Sequence, residues 1–178
     1  MKLNLIAAIS IDGAIGNDDQ LLWYIKEDFK HYKHLTVGNI CIVGLNTFFT
    51  LPHEALLRRT HIVVTGGDPK AMDIPPSNRD RDIYTAETLE DAMLKAEAFA
   101  FLTDRKIYFI GGTQLFTAVM EKSLADELEI TWINKLYPDA NKRFPIQKIF
   151  DNYTLVEDSN WSKSITGYLY KFCKYKKN

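Results

Sequence analysis

The sequence predicts an α/β fold with a mostly parallel central sheet flanked by helices and an antiparallel C-terminal strand. Three observations lead there. Short apolar or β-branched segments alternate with helical or loop material from Leu3 to Gly111. Runs such as Ile40-Cys41-Ile42-Val43 and Ile62-Val63-Val64 are apolar throughout, as in strands covered on both faces. After Asp126 the pattern changes to strands without intervening helices, which fits an antiparallel finish.

The elements follow in order. Leu3 to Ile11 reads as a buried first strand, and glycine-containing polar sequence follows it. A helix is expected from Ile25 to Leu35, because Ile25, Phe29, Tyr32 and Leu35 recur at i, i+4, i+7 and i+10. Strands at Asn39 to Gly44, Thr60 to Thr65, Asp82 to Thr85 and Lys106 to Gly111 are separated by a short helix from Asn46 and a helix from Glu87 to Phe101. The second of these holds strong helix formers from Thr88 through Ala100 and an acid near its start. A helix at Thr113 to Lys122 precedes strands at Glu127 to Asn134, Thr154 to Glu157 and Ile165 to Tyr175. The lysines of the last segment read as protection of a sheet edge. Gly66 to Arg81, with Gly66-Gly67, Pro69 and Pro75-Pro76, reads as a loop leaving the compact body.

Composition narrows the function classes. At 178 residues the chain suits one domain, and it carries 46% hydrophobic and 25% charged residues. A formal net charge of −1 supplies no bulk attraction to nucleic acid or an anionic membrane, so neither is expected as a partner. No apolar stretch has membrane-spanning length. Asn4 and Ser10 interrupt the opening apolar run and Asp12 follows it, against a signal peptide. Cys41 and Cys173 read as small buried hydrophobes, which suits a reducing cytoplasm and makes the sequons at Asn152 and Asn160 chance matches. The chain ends soon after its last strand, so no fused partner domain is expected.

The chemistry concentrates in two places. Asp28 flanks the apolar stripe of the first helix, whereas Lys26, Glu27, Lys30, His31 and His34 are expected to project elsewhere. A lone inward carboxylate is costly, so its pKa is expected to rise. The plain alternative is an acid favoured by the first turn of a helix. Elsewhere, a strand runs into glycine and then a helix twice, at Val43-Gly44 before Asn46-Thr47 and at Ile110-Gly111-Gly112 before Thr113-Gln114. Such junctions suit phosphate, because glycine lets an anion approach the backbone and free N–H groups at the helix start favour it. Glu27, His31 and His34 share a helical face at i, i+4 and i+7, but no fourth ligand is visible and no metal is expected. His53 and His61 stand alone, and Cys41 has no histidine at a nucleophile spacing.

These residues occur in a telling order: Ile6-Ala7-Ala8, Asp12, Ile15-Gly16, Trp23 with Asp28 five on, Gly44 with Thr47, Arg59, Ile110-Gly111-Gly112, Thr131 and Phe144-Pro145. The chain resembles the dihydrofolate reductases over essentially its whole length. The resemblance implies a single-domain fold of that type across residues 1–178 and reduction of dihydrofolate by NADPH, with NADH not excluded. Asp28 would then hold the amino-pyrimidine edge of the pterin, sharing its network with Thr131 and promoting protonation. Trp23 would wall the site and order a water. Ile6, Ala8, Phe29, Tyr32, Leu51 and Ile110 would form the apolar slot, and Arg59 would take the glutamate α-carboxylate, leaving Arg58 solvated. The cofactor would lie across Ala8, Ile15 and Gly16. Its phosphates would meet Gly44, Asn46, Thr47, Gly111, Gly112, Thr113 and Gln114, near Val64 and Thr65. The Asp12 to Trp23 segment resembles the family's mobile loop. A monomer in the cytoplasm is expected.

Three positions depart from the family pattern. Leu22 replaces a common proline, Leu45 a usual basic residue, and Gln114 an arginine of some members. The 2′-phosphate site therefore lacks its usual cations unless Lys70, Arg79 or Arg81 compensates. Two other readings remain at this stage. A riboflavin-pathway-type reductase would share the fold without keeping Trp23 and Asp28. A non-catalytic nucleotide- or pterin-binding assembly component would lack turnover.

Overall fold

A computed structural model describes residues 2–18 and 20–178. In chain order the elements are β1 (Leu3–Ser10), β2 (Ala14–Gly16), α1 (Lys26–Thr36), β3 (Ile40–Gly44), α2 (Leu45–Thr50), α3 (His53–Leu56), β4 (Thr60–Val64), β5 (Asp82–Ala86) and α4 (Leu89–Thr103). Then follow β6 (Ile107–Phe109), α5 (Thr113–Glu121), β7 (Glu127–Ile133), β8 (Lys142–Arg143), α6 (Gln147–Asn152), β9 (Tyr153–Asp158), β10 (Ser162–Lys163) and β11 (Leu169–Lys177). The main sheet runs β10-β11-β7-β1-β6-β3-β4-β5, with β9 also on β11. From β7 to β5 the pairing is parallel, and β11 is antiparallel to β7, β9 and β10. Among the described residues no helix is long and apolar enough to cross a membrane.

Period-two alternation divides the strands between two environments. Leu5, Ala7 and Ile9 of β1, Ile40 and Ile42 of β3, Ile62 of β4 and Leu128, Ile130 and Trp132 of β7 form one core with residues of α4, α5 and α6. On the opposite face Val43, Val63 and Ile83 pack with Leu45, Phe48 and Leu56, while Ile25 packs with Ile133 and Tyr170. That second face carries α1 to α3, and it carries the functional residues. α4 begins where Thr88 Oγ1 accepts from the Asp91 N–H at 3.1 Å, and ends at Asp104 in the left-handed region.

Several expectations are corrected. α6 interrupts the stretch read as strands alone; only Ile149 of its six residues is buried, too little for a visible helical period. β7, which the pattern after Asp126 assigns to the antiparallel finish, lies parallel to β1. β11 is no edge: β7 flanks one side and β9 and β10 the other. Its lysines instead pair with acids, Lys171 with Asp158 at 2.6 Å and Lys174 with Glu127 at 3.0 Å and Glu129 at 3.3 Å. The loop after β4 contains a 3-10 turn at Pro69–Asp73, and Ala71 and Ile74 anchor it to the second core.

Candidate active site

Register on the second face sets the site. Ala8 of β1 lies opposite Thr131 of β7, which lies opposite Phe172 of β11. The start of α1 sets half-buried Asp28 against Thr131, whose hydroxyl faces its carboxylate. Burial lifts Asp28 from 3.8 to about 6, and the Thr131 contact only partly opposes the lift. Trp23, Ala8 and Phe172 pack against the cluster of Ile25, Ile133 and Tyr170 beside this pair, and the Trp23 ring centroid is 5.6 Å from that of Tyr137.

One turn along α1 a second ionisable pair appears. His31 Nε2 lies 4.0 Å from Glu129 and its ring stacks on Phe172 with centroids 4.2 Å apart. Burial depresses His31 and raises Glu129, which Lys174 partly holds down. Glu27 is half-buried, with Oε2 shielded from solvent and without a partner. Asp28 is therefore not the only charged group turned inward, because β11 covers a second flank of α1 that helical periodicity alone does not reveal. Lys26, Lys30 and His34 do point to solvent. Among the described residues no group of three His, Cys, Asp or Glu side chains could hold a metal.

The apolar slot divides. Leu51 and Ile110 pack together with Phe48 and Leu56. Phe29 meets Tyr24 at 5.3 Å, and Tyr32 lies beneath the Arg59 guanidinium, 5.0 Å from its ring centroid. Ile6 is buried at the Glu129 position of the β1–β7 register. Arg59 is only 3% exposed, while Arg58 is exposed. Arg59 Nε donates to Thr36 Oγ1 at 2.8 Å, and Nη1 donates to the Leu57 and Glu54 carbonyls at 2.7 and 3.2 Å. Phe48, Leu56, Tyr137 and Phe172 were not singled out from sequence. Only Phe172 had a signal, its place in an alternating strand.

The two glycine junctions meet. The Gly44 N–H donates to the Gly111 carbonyl at 2.7 Å, and the Gly111-Gly112 peptide is cis. A Cβ on Gly111, at φ +104°, would sit 3.0 Å from the Phe116 ring, and one on Gly112 would collide with the Thr47 hydroxyl. Glycine is required at both. α2 and α5 start at these glycines without a side-chain cap, so their first N–H groups stay free. Thr113 Oγ1 is buried there without a partner. Asn46 and Gln114 are exposed beside this seat.

Other cofactor positions lie differently. Ile15 and Val64 lean on the first core, and the Thr65 hydroxyl donates to the Ala86 carbonyl at 3.2 Å. Gly16 lies in β2, which pairs with β8. The segment after β1 is clasped: Asp12 accepts from the Tyr137 N–H at 2.9 Å and pairs with Arg143 at 3.4 Å, and Tyr137 Oη donates to the Leu22 carbonyl.

The three basic residues that could compensate for the missing cations do not share one place. Leu45 is buried in the second core. Arg81 precedes Asp82, which pairs with Thr60 at the start of β4, whereas the glycine junctions lie at the far end of the strands. A five-residue parallel strand separates the two ends by roughly 13 Å. Arg79 shares the Asn78–Arg81 turn, so of the three only Lys70 follows the correct strand end.

A family model of dihydrofolate reductase matches residues 2–177. The chain is 34% identical over 119 residues to the type 9 dihydrofolate reductase of Escherichia coli, covering 65% of this chain and 62% of that protein. It is 25% identical over 175 residues to the dihydrofolate reductase of Buchnera aphidicola, with 97% of each covered. In structure it is similar to a dihydrofolate reductase from Enterococcus faecalis complexed with NADP(H) and RAB-propyl, at a TM-score of 0.74 and 22% identity, covering 99% of this chain and 96% of that one. The sequence of this chain and the match along almost all of it place it in the dihydrofolate reductase family.

Proposed function

We propose that residues 1–178 act as one domain that reduces 7,8-dihydrofolate to 5,6,7,8-tetrahydrofolate with NADPH, supporting one-carbon metabolism and thymidylate synthesis. The observation that carries this reading is Asp28: a shielded carboxylate with a pKa of about 6, touching Thr131 beside Trp23 and Ala8, on the same sheet face as the glycine junctions. The family match favours neither the riboflavin-type reductase nor the non-catalytic alternative.

An ionised carboxylate is acceptor-only, so Asp28 can take two N–H donors from an amino-pyrimidine edge. Its raised pKa leaves a protonated share near neutral pH, suiting a group that promotes protonation of the pterin nitrogen through solvent or a substrate tautomer. Thr131 orients that carboxylate, and Trp23 excludes water from one side. Ile6, Phe29, Tyr32, Leu51 and Ile110 offer apolar surface to flat rings, and Arg59 offers a guanidinium to a tail carboxylate. The nucleotide seat fits a dinucleotide: uncapped N–H groups at Gly44 and Gly112, the unpartnered Thr113 hydroxyl, and Thr47 and Gln114 at its rim. When bound there, NADPH supplies the hydride, and the pterin takes up a proton. A cytoplasmic monomer without nucleic-acid or membrane partners fits the composition.

The test is dihydrofolate-dependent loss of NADPH absorbance. Asp28→Asn is expected to lower turnover roughly 10²- to 10⁴-fold. Full activity in that variant would remove Asp28 from the chemistry.

A further inference from the structure

Behind Arg59 the structure gathers more hydrogen-bond donors than it has acceptors for. Arg81 stands beside Arg59, since Asp82 pairs with Thr60 and the Asp82 N–H donates to the Arg59 carbonyl at 3.2 Å. Among the described residues neither arginine forms an ion pair with a carboxylate. Arg59 Nη2 makes no hydrogen bond, and Arg81 Nε is buried without a partner. Both ring nitrogens of fully buried His61 are likewise unpartnered, and the Tyr32 hydroxyl under Arg59 faces Thr36 and Cys41 without completing a hydrogen bond. His61, in β4, follows Arg59 by two and so lies on the same sheet face.

Buried donors without acceptors, and two adjacent cations without a counter-charge, are costly to maintain. Arg59 is nevertheless fixed by three hydrogen bonds and closed over by Tyr32. A neutral His61 adds no third charge, because burial and then the two arginines press it down to about 4. A dianionic group would supply both the acceptors and the counter-charge that this cluster lacks.

We propose that Arg59, Arg81, His61 and Tyr32 form a two-anion seat in which Arg59 takes one carboxylate of the substrate's glutamate tail and Arg81 takes the other. This rests on the proposed reading of the chain as a dihydrofolate-reducing enzyme. Arg81 is thereby a specificity residue for dianionic tails and has no part in hydride transfer.

The experiment measures dissociation constants of the intact protein for dihydrofolate and for its γ-methyl ester, which has lost one tail carboxylate. Wild type is expected to hold the diacid about tenfold more tightly, as a charge-assisted contact at a shielded arginine implies. Arg81→Gln should erase that preference by weakening diacid binding about tenfold, to the level of the ester, and Arg81→Lys should retain part of it. Equal affinity of wild type for acid and ester overturns the proposal without any variant, so a misfolded Arg81→Gln leaves it decidable. An acid preference that survives in folded Arg81→Gln also overturns it. Failure of wild type to bind dihydrofolate at all counts instead against the proposed function.

Discussion

The two faces of the central sheet come from the same strands and do opposite work. On one, Leu5, Ala7, Ile9, Leu128, Ile130 and Trp132 pack beneath α4, α5 and α6. On the other, the intervening Asn4, Ile6, Ala8, Glu127, Glu129 and Thr131 put polar groups among apolar ones. One face supplies stability; the other tolerates displaced pKa values and unpartnered donors, as functional sites do. A single strand, β7, thus holds both the floor of the core and the partner of Asp28.

Substitutions on β7 and α1 should separate these roles. Ile130 is 1% exposed, and Ile130→Ala should lose about 2–5 kcal/mol of folding stability in denaturant melts with its pKa-linked behaviour intact. A loss below 1 kcal/mol would mean that the core face is less tightly packed than the structure has it.

Asp28→Asn should do the reverse. Because the folded-state pKa is raised to about 6 from 3.8, the ligand-free protein is stabilised below pH 4 and loses that stability as pH rises through 6. The Asn variant lacks that decline and should be more stable than wild type at pH 7 by about 2–3 kcal/mol. Parallel pH–stability curves for the two proteins would contradict the raised pKa of Asp28.

Much of the site was legible because its signals are local. The period of Ile25, Phe29, Tyr32 and Leu35 placed α1 and the flank on which Asp28 lies. Gly44 and Gly111-Gly112 marked the chain's two phosphate-type junctions. What escaped depends on pairing between distant segments. That β11 is inserted between β7 and β9 converts Lys171 and Lys174 from edge charges into partners of Asp158, Glu127 and Glu129. The same insertion turns His31 inward, and β4–β5 register moves Arg81 away from the cofactor end. β2, β8 and α3 span two to four residues, too few to display a period.

Two smaller tests refine the contrast. Thr131→Val deletes the hydroxyl that lowers Asp28, so the acidic limb of the kcat/KM profile should move up by roughly half to one pH unit. An unmoved limb would detach Thr131 from the carboxylate. Gln114→Arg adds a cation at the exposed rim of the nucleotide seat, and the NADPH-over-NADH preference should rise by a few-fold, the size of a solvated ion pair. No gain there would put the 2′-phosphate elsewhere, nearer Lys70.

The position of β11 also bears on biosynthesis. β7 keeps one side bare until Leu169–Lys177 has emerged from the ribosome, since that is the strand that covers it. Thr131 and Glu129 thus acquire their last neighbours only after translation has passed them by some forty residues, so a nascent chain displays an unfinished, adhesive sheet rim during elongation.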